Sequence, residues 1–577
     1  MGTSKNNSTD DLNSPFELFI GKKACRLFIG MFLFIIIIPP LYRNVFEVSA
    51  KLKTDELNHD SSWTPVIELF NKKKNQSLNE HFKSFEKNLE TAFFAKTPRK
   101  IIQSTLSLSP LKEGNRNVRI GKDGWLFLDD AIESLTGQGP FYDEPFSFHK
   151  DDNSPIDAIK RFANQLDNFG VRLILVSVPS KAMIYPEKIN HNIKGPISHP
   201  DAKRLVSELN SLPNLDVLDL TKSLFNLKKE KTVFLKQDTH WTPEAMEEAA
   251  KIIAGHIKSL GITTNKPNLN SRNKEERKAY GDLVEKINIW DGAFNQESVI
   301  AKPIKGNTRD RNSEIILLGD SFTNIYSIDQ GLGWGNNAGL PEHIASNIGT
   351  PIDVISINGG GATEVRKKLA QRRGSSEDMK NKKVVIWAVT SRDLFLSQEQ
   401  CNARNITWGN VSFDKRPSEK KLTNNKIIIR AKLIEKPKIP DPNQTTYKDL
   451  LYGADYEILK TISGKIPEEV KKIAVVNWAF KNRVLLPSAN YEIGSVRNLQ
   501  IIPFEEMKDL QTLEQMYEGD NFDLFWELPK SPVKTKEIEQ IKSKNEGFRH
   551  KIALIVSSLF TIFIFIGTNR IPEHNYR

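Results

Sequence analysis

Five short, predominantly apolar runs, each followed by polar, helix-like sequence, constrain this chain more than any other feature. They fall at 171–178, 217–220, 315–318, 354–357 and 384–389. A strand with one wet face alternates apolar and polar residues. A run that is mostly apolar at successive positions is of the type buried on both faces, as in a parallel sheet flanked by helices. Helix signals fall between the runs: Thr242-Pro243-Glu244 offers a cap, a proline at the first helical position and an early acid, and Gly261 closes that helix. The alternation predicts a layered α/β/α domain with a parallel sheet over residues 113–400. A hairpin with Asp123-Gly124 at its turn opens it.

After about residue 397 the pattern changes. Alternating segments at 426–434, 473–478 and 499–504, punctuated by Pro437, Pro440 and Pro442, predict a small all-β domain over 405–530, either barrel or sandwich. Residues 45–112 read as a polar, helical lead-in whose Leu78, Phe82, Phe85, Leu89 and Phe93 form one packing stripe. Two apolar stretches, 27–42 and 552–567, have basic flanks that include Arg26 and Arg549. They predict terminal membrane helices at 27–44 and 552–568, each slightly shorter than the roughly 20 residues of a usual span. The first reads as an uncleaved anchor in preference to a cleaved signal. Lys22, Lys23 and Arg26 then keep residues 1–26 in the cytoplasm and place the body outside. A charged linker at 531–551 leads to the second helix, although Lys542 and Lys544 on its outer flank oppose this topology.

Composition narrows the classes further. The 577 residues are 38% hydrophobic, and the mean hydropathy of -0.44 excludes a polytopic membrane protein. Charged residues at 27% together with 31 Phe exclude wholesale disorder. Two cysteines exclude a disulfide scaffold, and Cys401 is expected as a free thiol or a small buried hydrophobe. The net charge of +11 is spread along the chain, so no nucleic-acid partner is expected.

Three motifs carry chemistry. Leu318-Gly319-Asp320-Ser321-Phe322 places a serine hydroxyl at the carboxyl end of a buried strand, on a turn into a helix. Lys236-Gln237-Asp238-Thr239-His240-Trp241 pairs a carboxylate with an imidazole, the orienting half of a Ser–His–Asp triad. The same spacing suits a mononuclear metal, with Asp282 and His343 as completing ligands, a reading ranked below the triad. Asn358-Gly359-Gly360-Gly361 ends another strand in a turn whose backbone N–H groups can approach an oxyanion, and it lacks the spacing of a dinucleotide fingerprint.

These residues resemble the SGNH-hydrolase superfamily, and more closely the AlgJ/AlgX-type alginate and exopolysaccharide O-acetyltransferases. Asp238-Thr239-His240 precedes Gly319-Asp320-Ser321, the reversed order of that circularly permuted group. The opening Gly-Lys-Asp-Gly-Trp-Leu-Phe stands at 121–127, and the Pro-x-Lys segment begins at Pro179. The resemblance covers about 75–397. It implies an SGNH-like fold, with Ser321 as nucleophile, His240 as base and Asp238 as its orienting partner. Asn358, Gly360, Gly361, Arg392, Lys181 and Tyr185 are the oxyanion or substrate-binding candidates. It also implies acetyl transfer through an acetyl-serine to an extracytoplasmic polysaccharide, without a cofactor. The acetyl donor would be a membrane-bound O-acyltransferase partner, at the cytoplasmic membrane with the catalytic body on its periplasmic side.

The usual Asn-Asp oxyanion pair is absent after residue 389, where Thr390-Ser391-Arg392-Asp393 stands. The β domain and the C-terminal membrane helix lie outside the resemblance. Two alternatives use the same residues: an acetyl esterase with this triad, or an inactive polysaccharide-binding scaffold in which Trp125, Trp241, Trp334 and Trp387 stack on sugars.

Overall fold

The computed structural model describes, in the main, residues 114–142, 154–262, 274–413 and 426–528, with short gaps within the last two. The expected membrane helices and the 531–551 linker lie outside the described residues, as does nearly all of the 45–112 lead-in. Among the described residues, no helix is long and apolar enough to cross a membrane. The chain from Ser107 onward makes one compact unit, which carries every element named below.

The chain enters through an antiparallel hairpin of β1 (Val118–Ile120) and β2 (Leu126–Leu128), with Val118 opposite Leu128. Asp123 and Gly124 sit at φ 56° and 74°, the left-handed pair that matches the twist of a tight hairpin. Next come β3 (Arg172–Val178), β4 (Leu215–Asp219), the antiparallel pair β5 (Glu275–Ala279) and β6 (Glu297–Ala301), then β7 (Ile315–Gly319), β8 (Asp353–Ser356) and β9 (Val384–Thr390). Five of them form one parallel sheet in the order β4-β3-β9-β7-β8. All five expected apolar runs became its strands.

Their lack of alternation follows from the two packed faces. Ile174, Val176 and Val178 of β3 and Val384, Ile386 and Ala388 of β9 pack with Ile253 and Ile257 of the helix Pro243–Ser259 and Ile344 of the helix Leu340–Ile348. The intervening Leu173, Leu175, Val385, Trp387 and Val389 join Ile159, Phe162, Val365 and Leu369 from the helices Pro155–Asp167 and Glu364–Gln371. Each fully buried Leu, Ile or Val contributes roughly 1.5–3 kcal/mol. Thr242 caps its helix as expected, its Oγ1 accepting from the Ala245 N–H.

The β-rich region holds β10 (Ile427–Glu435), β11 (Leu450–Ser463), β12 (Lys472–Lys481), β13 (Val484–Leu485), β14 (Val496–Pro503), β15 (Glu514–Met516) and β16 (Leu524–Glu527). Their order is β13-β12-β16-β14-β10-β11-β15, and β11 also pairs with β12, so β12-β16-β14-β10-β11 close on themselves as a barrel. In β10, Ile427, Ile429, Ala431 and Leu433 point into the core while Arg430 and Lys432 are exposed. The barrel abuts the carboxyl end of the parallel sheet. Asn358 N–H donates to Thr512 O at 2.9 Å, and Lys367 Nζ donates to Tyr517 O at 3.0 Å.

The period-two register of β10 has a measurable consequence. Ile429→Ala empties space inside the barrel and is expected to lower the unfolding free energy by about 2–5 kcal/mol, whereas Arg430→Ala next to it changes it by less than about 0.5 kcal/mol. Denaturant unfolding of the full chain, followed by tryptophan fluorescence, measures both.

Candidate active site

The sheet delivers its motifs to one end. Ser321 follows β7, the Asn358–Gly361 turn follows β8, and Arg392 follows β9. Asp238 and His240 lie in a tight loop between the bridged residues Phe234 and Trp241, where Leu235 N–H donates to His240 O at 3.0 Å. Lys236 N–H and Gln237 N–H each donate to the Glu297 carboxylate at 2.7 Å and fix the loop from below. Lys181 Nζ reaches Leu126 O at 2.8 Å and Lys236 O at 3.2 Å, which ties the opening hairpin to the same loop. Tyr185 stacks on Trp125, ring centroids 4.3 Å apart, and its hydroxyl accepts from Val233 N–H at 2.9 Å. Lys181 and Tyr185 thus brace the Asp238–His240 loop, and neither has a hydrogen bond to Ser321 among those described.

Within the loop, His240 Nδ1 lies 2.6 Å from Asp238 Oδ1, and His240 Nε2 lies 2.7 Å from Ser321 Oγ. All three residues are at most 3% exposed. Proton directions follow from what each group can do. The Asp238 carboxylate only accepts, so Nδ1 carries the hydrogen and Nε2 accepts from Ser321 Oγ–H. Asp238 also accepts from His240 N–H, Asp282 N–H and Trp334 Nε1, each at 3.0 Å. Burial alone would raise its pKa. The His240 imidazole and these N–H donors outweigh burial and hold the carboxyl well below its usual range.

Around Ser321 lie the other candidates. Asp320 caps the short helix Ser321–Asn324 by accepting from Phe322 N–H at 2.9 Å. Gly361 lies against Asp320, since a Cβ there would stand 3.0 Å from Asp320 Oδ2, and its carbonyl accepts from Trp387 Nε1 at 2.7 Å. Gly360 N–H is used inside the turn, donating to Ile357 O at 2.9 Å. Asn358 Oδ1 accepts from Asn324 Nδ2 at 2.9 Å, and Asn324 Oδ1 in turn accepts from Ser356 Oγ at 2.6 Å. Arg392 Nε pairs with Asp393 at 3.3 Å, and with Ser180, Phe127, Ala131 and Phe322 it lines a small cavity. The four tryptophans weighed as sugar platforms, Trp125, Trp241, Trp334 and Trp387, are all buried. Cys401 is a buried free thiol, pushed up to about 12 by burial and the nearby Asp393.

Residues 118–391 match the family model of the SGNH hydrolase-like domain of the acetyltransferase AlgX. Over that span the chain carries an SGNH hydrolase-like domain similar to those of the AlgJ/AlgX proteins. Among relatives, a probable alginate O-acetylase AlgJ of Pseudomonas aeruginosa is 29% identical over 202 residues, 35% of this chain and 49% of that protein, so the match spans about half of the relative's length. The Pseudomonas fluorescens protein of the same name is 23% identical over 65% of this chain and 88% of its own length. Two solved structures are similar: the O-acetyltransferase domain of Pseudomonas putida AlgJ (21% identity, TM-score 0.36, 48% of this chain and 92% of that one) and Pseudomonas aeruginosa AlgX (15%, 0.38, 66% and 90%).

The metal reading of the Asp238–His240 site fares less well on chemistry. Ligand atoms of Asp238, His240 and Asp282 do lie within 4.8 Å of one another. However, the Asp282 carboxylate already accepts from Thr239 N–H at 2.7 Å and Lys286 Nζ at 2.8 Å, while His240 Nε2 is engaged by Ser321. A cation would have to displace a lysine and break the serine contact. His343 stands apart from the group, in the helix Leu340–Ile348.

The motifs gave no hint of two partners that the fold adds. Trp334 reaches Asp238, and Tyr447, from the loop before β11, places its hydroxyl 2.9 Å from Ser321 Oγ. A Tyr between two β segments carries no spacing signal to a serine 126 positions away.

Burial, with Asp393 close by, pushes the Asp320 carboxyl from 3.8 up to about 6. A carboxyl whose folded pKa is raised stabilises the fold below its unfolded pKa and loses that contribution as pH rises through the folded value. The shift corresponds to about 3 kcal/mol lost between pH 3.8 and about 6. Asp320→Asn keeps a cap oxygen and is expected to be insensitive there. The stability difference between variant and wild type should therefore move in favour of the variant by roughly that amount from pH 4 to pH 7, as read from urea midpoints.

Proposed function

We propose that this chain is an O-acetyltransferase that carries acetyl on Ser321 and delivers it to hydroxyl groups of an extracytoplasmic polysaccharide. The observation that carries this reading is the buried relay from Asp238 Oδ1 through His240 to Ser321 Oγ, with steps of 2.6 and 2.7 Å. Both steps have the reach that general-base activation of a serine needs.

In the first half-reaction, Ser321 Oγ attacks the acetyl carbonyl while its proton passes to His240 Nε2. Asp238 holds the imidazole in the required tautomer and stabilises the imidazolium that forms. As the bond between acetyl carbon and donor oxygen breaks, His240 returns the proton to that leaving oxygen. In the second half, a sugar hydroxyl gives its proton to His240 as its oxygen takes the acetyl carbon. The proton then goes back to Ser321 Oγ. No cofactor enters this scheme.

Transfer, in preference to hydrolysis, is supported by the names of the AlgJ relatives and by the enclosure of Ser321, which is 3% exposed and limits access of bulk water. The small cavity lined by Arg392, Ser180 and Phe322 would receive part of the substrate, with the guanidinium as a charged donor. The apolar runs at 27–42 and 552–567 support a tether at the cytoplasmic membrane, with the body on its outer side and a membrane-bound O-acyltransferase supplying acetyl.

The test uses the full chain in detergent, an activated acetyl ester and soluble oligosaccharides, with acetylated sugar read by mass spectrometry. Ser321→Ala is expected to abolish sugar acetylation, and Asp238→Asn to lower kcat by about 10³–10⁴-fold. Acetylation that survives Ser321→Ala overturns the nucleophile assignment. Release to water at a rate indifferent to sugar makes the protein an esterase.

A further inference from the structure

Ser321 Oγ has two hydrogen-bond partners, and the second comes from the barrel. Tyr447 OH lies 2.9 Å from Ser321 Oγ, in addition to the 2.7 Å contact to His240 Nε2. Since Ser321 gives its single hydrogen to His240, the phenol must be the donor in the other contact. The network therefore runs one way, from Tyr447 O–H to Ser321 Oγ–H to His240 Nε2.

Several constraints hold the phenol there. Gly359 sits at φ +76°, and a Cβ built on it would stand 2.9 Å from Tyr447 Cε2, so the ring occupies the space that a side chain at 359 would fill. The loop that carries Tyr447 is clamped to the β12–β13 turn. Arg483 Nη1 donates to the carbonyls of Pro442 and Thr445, Arg483 N–H donates to Lys448 O, and Asn482 N–H donates to the Asp449 carboxylate. Asn482 and Arg483 both adopt left-handed backbone angles, φ 49° and 61°, to form that turn. Burial, with Asp320 nearby, raises the Tyr447 phenol well above its ordinary value, so it keeps the proton that it donates to Ser321.

We propose that Tyr447 is a catalytic hydrogen-bond donor to Ser321, which makes the C-terminal barrel part of the active site; the inference rests on Ser321 being the nucleophile. As the Ser321 proton moves to His240, negative charge grows on Oγ. A fixed donor at 2.9 Å then makes a charge-assisted bond, roughly twice as strong as a neutral one. Once Oγ has become an ester oxygen it is a weak acceptor, and the bond relaxes. The donor therefore favours the charged passage over both neutral ends, which is the condition for raising kcat.

Tyr447→Phe removes only the hydroxyl and keeps the ring against Gly359. The experiment compares full-length wild type with Tyr447→Phe in two readouts: the rate at which an aryl sulfonyl fluoride labels Ser321, followed by intact mass and peptide mapping, and kcat against KM for acetyl transfer. The expected result is labelling at least about tenfold slower and kcat about 10²-fold lower, with KM and the thermal midpoint little changed. Equal or faster labelling of Tyr447→Phe, with wild type labelled at Ser321, overturns the donor role and leaves the nucleophile reading intact. Wild type that takes no label at Ser321 overturns the nucleophile reading, and the inference falls with it.

Discussion

The site depends on one buried charge. The Asp238 carboxylate is 2% exposed, and an ion so placed is tolerated only when its lone pairs are filled by directed donors. Four supply it: His240 Nδ1, His240 N–H, Asp282 N–H and Trp334 Nε1. They arrive from three separate stretches of chain, so satisfying this one carboxylate draws the stretches together. It also fixes the imidazole, because Nδ1 must carry a hydrogen to serve Asp238 and Nε2 is then left as the acceptor facing Ser321. The tautomer needed for general-base chemistry is thus a consequence of electrostatic necessity in the fold.

A second constraint is the parallel sheet, which sends β7, β8 and β9 out at the same edge. Three loops distant in sequence consequently share one volume. Ser321 sits at the start of a short helix, Gly361 lies flush against Asp320 because a side chain there would meet the carboxylate, and Arg392 closes the third side. The barrel seals the fourth through Asn358 to Thr512 and through Tyr447. Strand closure serves the barrel itself by leaving its main sheet without the bare edges that invite association.

Much of this was legible in the sequence, for physical reasons that can be named. Two-sided burial removes alternation, so the parallel strands announce themselves as apolar runs. One-sided burial restores it, so β10 does too. The Asp238–His240 and Ser321 motifs were visible because their chemistry demands particular residue types at close spacing. Lys181 and Tyr185, oxyanion or substrate-binding candidates by sequence, brace the loop that bears His240, and Lys181 also lines the small cavity beside Arg392, so spacing alone does not separate bracing from binding. β11, at 14 residues the longest strand among those described, escaped notice because only its first half faces the core and Gly453 interrupts it. Barrel or sandwich was undecidable beforehand, since closure depends on the long-range pairing of β11 with β12. Tyr447 carries no sequence signal, and Trp334 suggests only a sugar platform, for the same reason: their partners are set by tertiary geometry.

The most direct test of the central claim is to look for the acyl-enzyme itself. Full-length protein mixed with an activated acetyl ester and quenched in acid should show one added acetyl, mapped to Ser321. That acetyl should disappear faster when soluble oligosaccharide is present, with the same acetyl recovered on the sugar. Absence of any adduct, an adduct on another residue, or decay indifferent to sugar would contradict the account.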